Sequence, residues 1–299
     1  MSSIFTQIGI ALKCITGIRD ITAFKKNLKK NLGQIIYRKK YNANDLIDIM
    51  IGMGMKKGSV VCIHSAMKEF YNYKGTIKEF LDKVIEVITL EGTLMMPAYP
   101  NRDNIRNPEY IFNLKNDNTM AGAMAECFRN YPKVKRSANV RHSVCVYGKY
   151  ADYLIRDHDK GVNCWDETSP WYKLCQLNGL VFNFGLGSSF VGTIDHCVEA
   201  TLYKEHPYWA QFFNAENIYR YYDYNHNVHS YINRDCEIER RTREKNVIKY
   251  FDNKYFHTQT ISNLYIMGYE AKPILEKMLV LGRKGICIYY VPSPKKYKF

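Results

Sequence analysis

The sequence predicts an α/β protein, in which helices pack against a buried sheet. Four short runs of almost wholly apolar residues recur along the chain, as expected of strands covered on both faces. Helical apolar patterns with capping residues lie between the first runs. Glycines stand at the ends of several elements and mark where the chain turns.

The first predicted elements alternate between helix and strand. Asparagine and threonine side chains cap helix starts, and glycine ends helices. The capping-box pattern Thr76-Ile77-Lys78-Glu79 opens the second helix. In chain order, we expect a helix from Asn42 or Asn44 to Gly54, a strand over 59–65, a helix from Thr76 to Gly92 and a strand over 93–97.

The middle of the chain continues the same pattern after a polar stretch. Residues 101–118 are rich in Asn, Asp and Arg and predict a surface loop. A helix over 121–129, strands over 143–148 and 179–185, and a helix over 193–203 follow.

The last third differs in composition. Residues 213–260 contain many Tyr, Asn and Arg with alternating polarity, which predicts an antiparallel hairpin or an inserted subdomain. A helix over 267–281 and a strand over 285–291 are predicted to end the domain.

The basic charge is concentrated at the two ends of the chain. The 299 residues include 43 Lys and Arg against 29 Asp and Glu, a net charge of +14, which first suggests nucleic acid, anionic lipid or a phosphorylated ligand. Residues 1–40 hold nine basic side chains and one acidic one, and the last five residues hold three lysines. We therefore expect a basic amphipathic extension over 1–41, one domain over 42–294 and a basic tail over 295–299.

The cysteines and the start of the chain predict a reduced, cytoplasmic protein. Nine cysteines are scattered without a C-x-x-C pair, so free thiols are expected in place of disulfides or a structural zinc site. No apolar run approaches the roughly 18 residues that span a bilayer, and the start lacks a secretory signal pattern. The extension is expected to lie on the inner membrane face, to pack on the body of the protein or to contact a second subunit.

His196 and Glu199 are the strongest catalytic candidates. They are three residues apart on a predicted helix and share a face, where a carboxylate can fix the tautomer of a general base. A surface or capping pair is the alternative interpretation. No second His/Glu motif supplies ligands for a metal. Cys197 points about 100° away around the helix axis and is interpreted as a packed thiol.

Small and polar residues at strand ends indicate a ligand-binding edge. Gly185-Leu186-Gly187 lacks the third glycine of a dinucleotide fingerprint and predicts a tight turn that a ligand can approach. His64-Ser65 and the segment 139–143 lie at other strand ends, where open α/β sheets bind ligands. Such residues also satisfy loop backbone groups, so their order along the chain is more informative than each residue alone.

Six ordered segments match the motifs of one known family. They are Ile63-His64-Ser65-Ala66-Met67, Glu91-Gly92-Thr93-Leu94-Met95-Met96-Pro97, Met120-Ala121-Gly122 with Arg136 to Val144, Ser169-Pro170-Trp171-Tyr172-Lys173-Leu174, the Gly185-x-Gly187 turn, and Thr193-Ile194-Asp195-His196-Cys197-Val198-Glu199 with the following His206-Pro207-Tyr208. Over about residues 42–290 the chain resembles the aminoglycoside 3-N-acetyltransferase family. The family pattern for the last segment is T-S-L-H-L-A-E.

The resemblance implies a central mixed sheet flanked by helices and an acetyl-CoA-dependent transfer to a primary amine of an amino sugar. The transfer would proceed by direct attack, with His196 as the general base and Glu199 orienting it. On the coenzyme side the resemblance implies His64, Ser65, Arg136, Ser137 and Ser143. Acetyl-CoA is the implied cosubstrate, and no metal is implied.

The differences between this chain and the family pattern decide which acceptor we expect. Drug-modifying members commonly carry Asp-x-Asn-Thr before the histidine, whereas residues 188–193 lack that acid. The acceptor-side candidates are Asp166, Glu167, Thr193 and Asp195. Because the body carries a slight positive charge, we expect a nucleotide-linked amino sugar of surface polysaccharide assembly.

Two other functions are kept as alternatives. One is an aminoglycoside 3-N-acetyltransferase that confers antibiotic resistance, and the remote one is a non-catalytic basic binding protein. Nucleic acid is not an expected partner of the enzyme, because 11 of the 14 net charges lie outside the part that resembles the family. A homodimer is a further expectation.

Overall fold

A mixed sheet forms the centre of the protein in a computed structural model that describes residues 30–188 and 191–299. Within these ranges the strands are β1 (Val60–Ser65), β2 (Thr93–Pro97), β3 (Phe112–Asn113), β4 (Lys135–Arg136), β5 (Val144–Gly148), β6 (Leu180–Phe184), β7 (Ala215–Tyr222), β8 (Val228–Asp235), β9 (Arg241–Thr242), β10 (His257–Ile261), β11 (Leu264–Glu270) and β12 (Tyr289–Val291). The sheet order is β10-β11-β6-β1-β2-β5-β4. Strand β1 runs parallel to β2 and β6, and the outer pairs are antiparallel. The predicted α/β class with a mixed sheet is confirmed.

Helices cover both faces of this sheet. They are α1 (Ala43–Gly52), α2 (Ile77–Ile88), α3 (Arg102–Ile105), α4 (Ala123–Arg129), α5 (Ala151–Ile155), α6 (Pro170–Gln176), α7 (Asp195–Leu202), α8 (Pro207–Ala210), α9 (Lys245–Ile248) and α10 (Ala271–Gly282). The predicted caps form, since the side chains of Asn42 and Thr76 accept hydrogen bonds from backbone N–H groups of α1 and α2.

Alternate residues of each central strand fill two separate core layers. In β1, Val61 and Ile63 pack with α1, α2 and α4, whereas Val60 and Cys62 pack with α6, α7 and α10. All four side chains are buried, which explains the unbroken apolar run in the sequence. Helix α7, which carries the candidate catalytic pair, lies on the face of the sheet that Val60 and Cys62 point to.

The Tyr- and Asn-rich region forms the predicted hairpin. Strands β7 and β8 pair antiparallel, and β3 adds a third strand parallel to β7. The rings of Phe112, Tyr221 and Tyr231 share a small buried cluster of their own. The remainder of 213–260 contains β9, α9 and most of β10, the edge strand of the central sheet.

Three local predictions from the sequence were wrong. The segment 101–118 contains α3 and β3, because Asn101 caps a short helix and β3 pairs with the distant hairpin. The helix predicted from residue 267 begins at Ala271, since β11 continues to Glu270 against β6. The strand predicted over 285–291 is limited to β12 and pairs with β9. Short apolar runs fit helix and strand equally well, and tertiary pairing decides between them.

Most of the predicted N-terminal extension, residues 1–29, lies outside the described residues. In the part of the chain that the structure describes, no helix combines the length and the apolar composition needed to cross a lipid bilayer.

Candidate active site

A cavity of about 500 Å³ opens at the start of α7. Its walls come from the segment after β2, the loop before β5, the first turn of α7 and the segment that leads into β9. Such clefts at strand ends are where α/β sheets bind ligands. His142, Thr193, Asp195 and His196 line it, so the predicted catalytic and acceptor-side segments meet at one place.

His196 and Glu199 form the hydrogen-bonded pair that the sequence predicts. The distance from His196 Nδ1 to Glu199 Oε1 is 3.0 Å, and the Tyr289 hydroxyl lies 3.2 Å from the same nitrogen. Glu199 is fully buried, whereas the His196 side chain is 27% exposed. An ionised carboxylate can only accept a hydrogen bond, so with Glu199 ionised Nδ1 carries the proton and Nε2 is left to accept one.

Aromatic rings hold the His196 imidazole from the side. The Trp165 ring stacks on it with the ring centres 4.4 Å apart and 25° between the planes, and His142 packs on Trp165 at 4.5 Å. Burial, and then the neighbouring His196 and Arg141, lower the pKa of His142 well below its usual value. His142 is therefore neutral at physiological pH, and the stack restricts the rotation of His196.

Asp195 is a buried carboxyl group beside the base. It is 7% exposed, it lines the cavity, and its Oδ1 has no hydrogen-bond partner. Burial, with Glu244 and Glu199 contributing, raises its pKa well above the usual value. A positive charge beside this carboxyl group would reverse the effect and favour the ionised carboxylate.

Most of the charged residues that line the cavity are arginines. Arg102, Arg106, Arg141 and Arg240 line it, against the two acids Asp195 and Glu244. Arg141 is paired with the buried Asp235 at 3.3 Å. Arg240 Nη1 lies 3.5 Å from Glu199 Oε1.

Two of the predicted coenzyme-side residues, His64 and Ser65, lie at the end of β1. His64 is buried and stacks on Trp171, and burial lowers its pKa to about 4. It lies directly behind Gly192, which lines the cavity. A Cβ on residue 192 would come within 3.0 Å of the His64 ring. The backbone φ of Gly192, +99°, also favours glycine at this position.

The other three coenzyme-side residues form hydrogen bonds within the protein. The buried Arg136 guanidinium donates to the carbonyl oxygens of Ala98 and Asp117. The Ser143 hydroxyl also donates to Ala98 O, at 2.9 Å. The Ser137 hydroxyl accepts from the backbone of Val144 and bonds to His158 Nδ1. These side chains fix the loops beside β2 and β5 and do not line the cavity.

Asp166 and Glu167 lie outside the cavity. The Asp166 carboxylate accepts hydrogen bonds from the backbone of Asn163 and from the backbone and hydroxyl of Thr168, so it orders its own loop. Glu167 is exposed. Of the four predicted acceptor-side residues, the structure brings Thr193 and Asp195 to the cavity.

Sequence reasoning missed Trp165, Arg240 and Tyr289. They belong to three distant segments that carry no motif, and the position of Trp165 next to the candidate Asp166 was the one available signal. Among the described residues, no group of three or more His, Cys, Asp or Glu side chains is placed to hold a metal ion.

Comparison with protein families identifies the family of this chain. The family model described as aminoglycoside 3-N-acetyltransferase matches residues 62–279. The aminoglycoside N(3')-acetyltransferase-like protein YokD, derived from the SPbeta prophage of Bacillus subtilis, is 30% identical over 125 residues, which are 36% of this chain and 46% of YokD. Aminoglycoside N(3)-acetyltransferase III of Pseudomonas aeruginosa is 27% identical over 172 residues, which are 50% of this chain and 61% of that protein. The matched regions thus span about half of these relatives.

Solved structures with the same fold carry related names. Aminoglycoside acetyltransferase AAC(3)-Xa superposes with a TM-score of 0.69 and 15% identity, over 87% of this chain and 99% of that one. AAC-IIIb, described as a binary complex with CoASH, superposes with a TM-score of 0.65 and 15% identity, over 83% of this chain and 98% of that one. These likenesses support the fold, and the family model covers well over half of the sequence. The chain therefore belongs to the aminoglycoside 3-N-acetyltransferase family, a family of acyl-CoA-dependent acyltransferases.

Proposed function

We propose that the protein transfers the acetyl group of acetyl-CoA to a primary amine of an amino sugar, with His196 as the general base. The observation that carries the proposal is the His196–Glu199 pair, bonded at 3.0 Å in the wall of the cavity. The family model, and the relative described as a complex with CoASH, support acetyl-CoA as the donor.

The pair suits the proton transfers of this reaction. The neutral amine attacks the thioester carbonyl carbon and forms the C–N bond while its proton passes to His196 Nε2. The tetrahedral intermediate then collapses, the C–S bond breaks, and the coenzyme A thiolate takes up that proton. Glu199 holds the imidazole tautomer that has Nε2 free, and both reactants gain from being bound side by side.

For the coenzyme side we propose the edge formed by β1 and the Gly192 segment. His64 and Ser65 lie at this edge, and the close approach of Gly192 to His64 brings backbone groups to the cavity. In this proposal Arg136, Ser137 and Ser143 act on the coenzyme through the loops that they hold.

The names of the relatives favour an aminoglycoside as the acceptor over the nucleotide-linked sugar expected from the sequence. Asp195 supports this choice, because a carboxyl group that lines the cavity suits an acceptor ammonium. The nucleotide-linked amino sugar stays as a second candidate, because Arg102 and Arg106 line the cavity and suit a diphosphate.

Release of the coenzyme A thiol from acetyl-CoA tests this proposal and distinguishes the acceptors. We expect release with kanamycin-type aminoglycosides and little or none with nucleotide amino sugars. Release with the nucleotide sugars alone would reverse the order of the two candidates. No release with either class, from folded protein, would contradict the proposed transfer to amino sugars.

Asp195→Asn is expected to raise the KM for the acceptor by about 10- to 100-fold, the value of one charge-assisted hydrogen bond of roughly 1.5–3 kcal/mol. The KM for acetyl-CoA should stay unchanged, because the loss concerns the acceptor ammonium. Steady-state kinetics with each substrate varied in turn measures both values.

The matched control for Asp195→Asn is Glu167→Gln, which removes an exposed carboxylate outside the cavity and should change neither KM. An equal rise in both KM values for Asp195→Asn would argue for a structural role. Asp195→Leu removes the carboxyl group altogether and should bind a cationic acceptor as weakly as Asp195→Asn does.

A further inference from the structure

We propose that Arg240 is a positioning residue that keeps Glu199 ionised and His196 neutral, so that the imidazole is ready to accept a proton. The proposal rests on the proposed function, in which His196 is the base. Arg240 comes from the segment between β8 and β9, about 40 residues after α7, and none of the family motifs in the sequence includes it.

Glu199 needs a positive neighbour because it is fully buried. Taking an ionised carboxylate out of water costs several kcal/mol unless an opposite charge or hydrogen bonds compensate it. Oε1 of Glu199 has two such neighbours, His196 Nδ1 at 3.0 Å and Arg240 Nη1 at 3.5 Å. In the described part of the chain, Arg240 alone among lysines and arginines lies within 4 Å of this carboxylate.

Arg240 is also held against the aromatic wall of the site. Its guanidinium lies 5.9 Å from the centre of the Trp165 ring, and the same ring stacks on His196 at 4.4 Å. Arg240, Glu199, His196 and Trp165 therefore form a closed ring of contacts. Glu199 and Trp165 thus contact both Arg240 and the base.

The other charged and titratable groups near the pair do not replace this cation. Burial favours the neutral forms of Asp195 on α7 and of His142, and Arg141 is neutralised by Asp235. Burial also raises the pKa values of Tyr208, Tyr289, Cys164, Cys197, Cys236 and Cys287, so these groups carry no charge. Glu244 does not compensate the Glu199 charge, because it adds another negative charge to the cavity wall.

Loss of Arg240 therefore removes the cation and leaves Glu199 Oε1 with the hydrogen bond to His196 Nδ1. An added proton on the pair would then supply the missing positive charge. The His196–Glu199 pair would then hold its proton to higher pH, because removal of a nearby positive charge favours proton uptake. A protonated imidazole cannot act as the base. Activity should fall at neutral pH and return as the pH is raised.

The test is a pH titration of the His196 imidazole by NMR in the wild type, Arg240→Gln and Arg240→Lys, together with pH profiles of thiol release. In Arg240→Gln we expect the titration midpoint and the acidic limb of kcat to move up by about 1 to 2 pH units, the effect of a charge within 4–6 Å. Arg240→Lys keeps the charge and should stay close to the wild type. Arg240→Met retains apolar packing on Trp165 and should show the same shift as Arg240→Gln.

Arg241→Gln is the matched control. Arg241 is exposed and pairs with Glu239, so its loss should leave the midpoint unchanged. A midpoint that stays at the wild-type value in both neutral variants of Arg240, or a loss of activity that is equal at every pH, would overturn the proposal. The NMR titration needs no acceptor, so a wild type without thiol release would contradict the proposed function and still leave the effect of Arg240 measurable.

Discussion

Replacing His196 by Ala is expected to lower kcat by about 10²- to 10⁴-fold, the usual contribution of a general base, and to leave the fold intact. In the variant the amine must lose its proton to water, because the group that accepts it is missing. The imidazole is partly exposed at a cavity wall, so its removal costs little packing. Thiol release at saturating acetyl-CoA and acceptor measures the change.

The control for His196→Ala is His229→Ala, because His229 lies on the hairpin and is bonded to Asp223 outside the cavity. Its loss should not affect turnover. Glu199→Gln should also reduce kcat, since an amide can offer Nδ1 a donor as well as an acceptor and no longer fixes the tautomer. Unchanged turnover in His196→Ala would remove His196 from the role of base.

The same measurement separates the enzyme from the non-catalytic basic binding protein. That alternative predicts binding to nucleic acid or anionic lipid with a steep dependence on salt, and no thiol release from the wild type. The conformation of the site argues against it. A buried carboxylate that is bonded to a cavity-lining histidine has a desolvation cost, and binding by the basic ends of the chain would not require it.

Much of the fold could be predicted because its signals are local. The strands β1, β2, β5 and β6 are continuous apolar runs, and the caps at Asn42 and Thr76 lie within one turn of the helices that they start. His196 and Glu199 could be predicted as a pair for the same reason, since three residues of separation on a helix dictate that their side chains meet.

The rest of the site depends on contacts between distant segments. Trp165, Arg240 and Tyr289 reach the pair from three parts of the chain, and nothing in their local sequence fixes that arrangement. For Arg136, in contrast, the sequence did single out the residue but suggested a different role from the one that its contacts show. Its place in a motif suggested the coenzyme, while the structure shows its guanidinium bonded to protein carbonyl groups.

Arg136→Met is accordingly expected to lower the free energy of unfolding by about 3–6 kcal/mol, from two hydrogen bonds of a charged donor at roughly 1.5–3 kcal/mol each. Arg136 is 2% exposed, and its guanidinium donates to Ala98 O and Asp117 O and lies 4.5 Å from the centre of the Phe112 ring. It thereby ties the end of β2 to the 101–118 segment. Methionine fills the space but leaves both carbonyl groups without this donor. Equilibrium unfolding in urea measures the loss.

Arg136→Lys should lose less stability, because an ammonium keeps the charge but cannot form the planar fork that reaches two acceptors. The exposed Arg156 provides the control, since Arg156→Met should change the free energy of unfolding by no more than about 0.5 kcal/mol. A stable Arg136→Met protein with a raised KM for acetyl-CoA would contradict the structural role and place the guanidinium on the coenzyme. A destabilised protein with an unchanged KM would show that this motif position serves the loops around the cavity, because the coenzyme then binds without its charge.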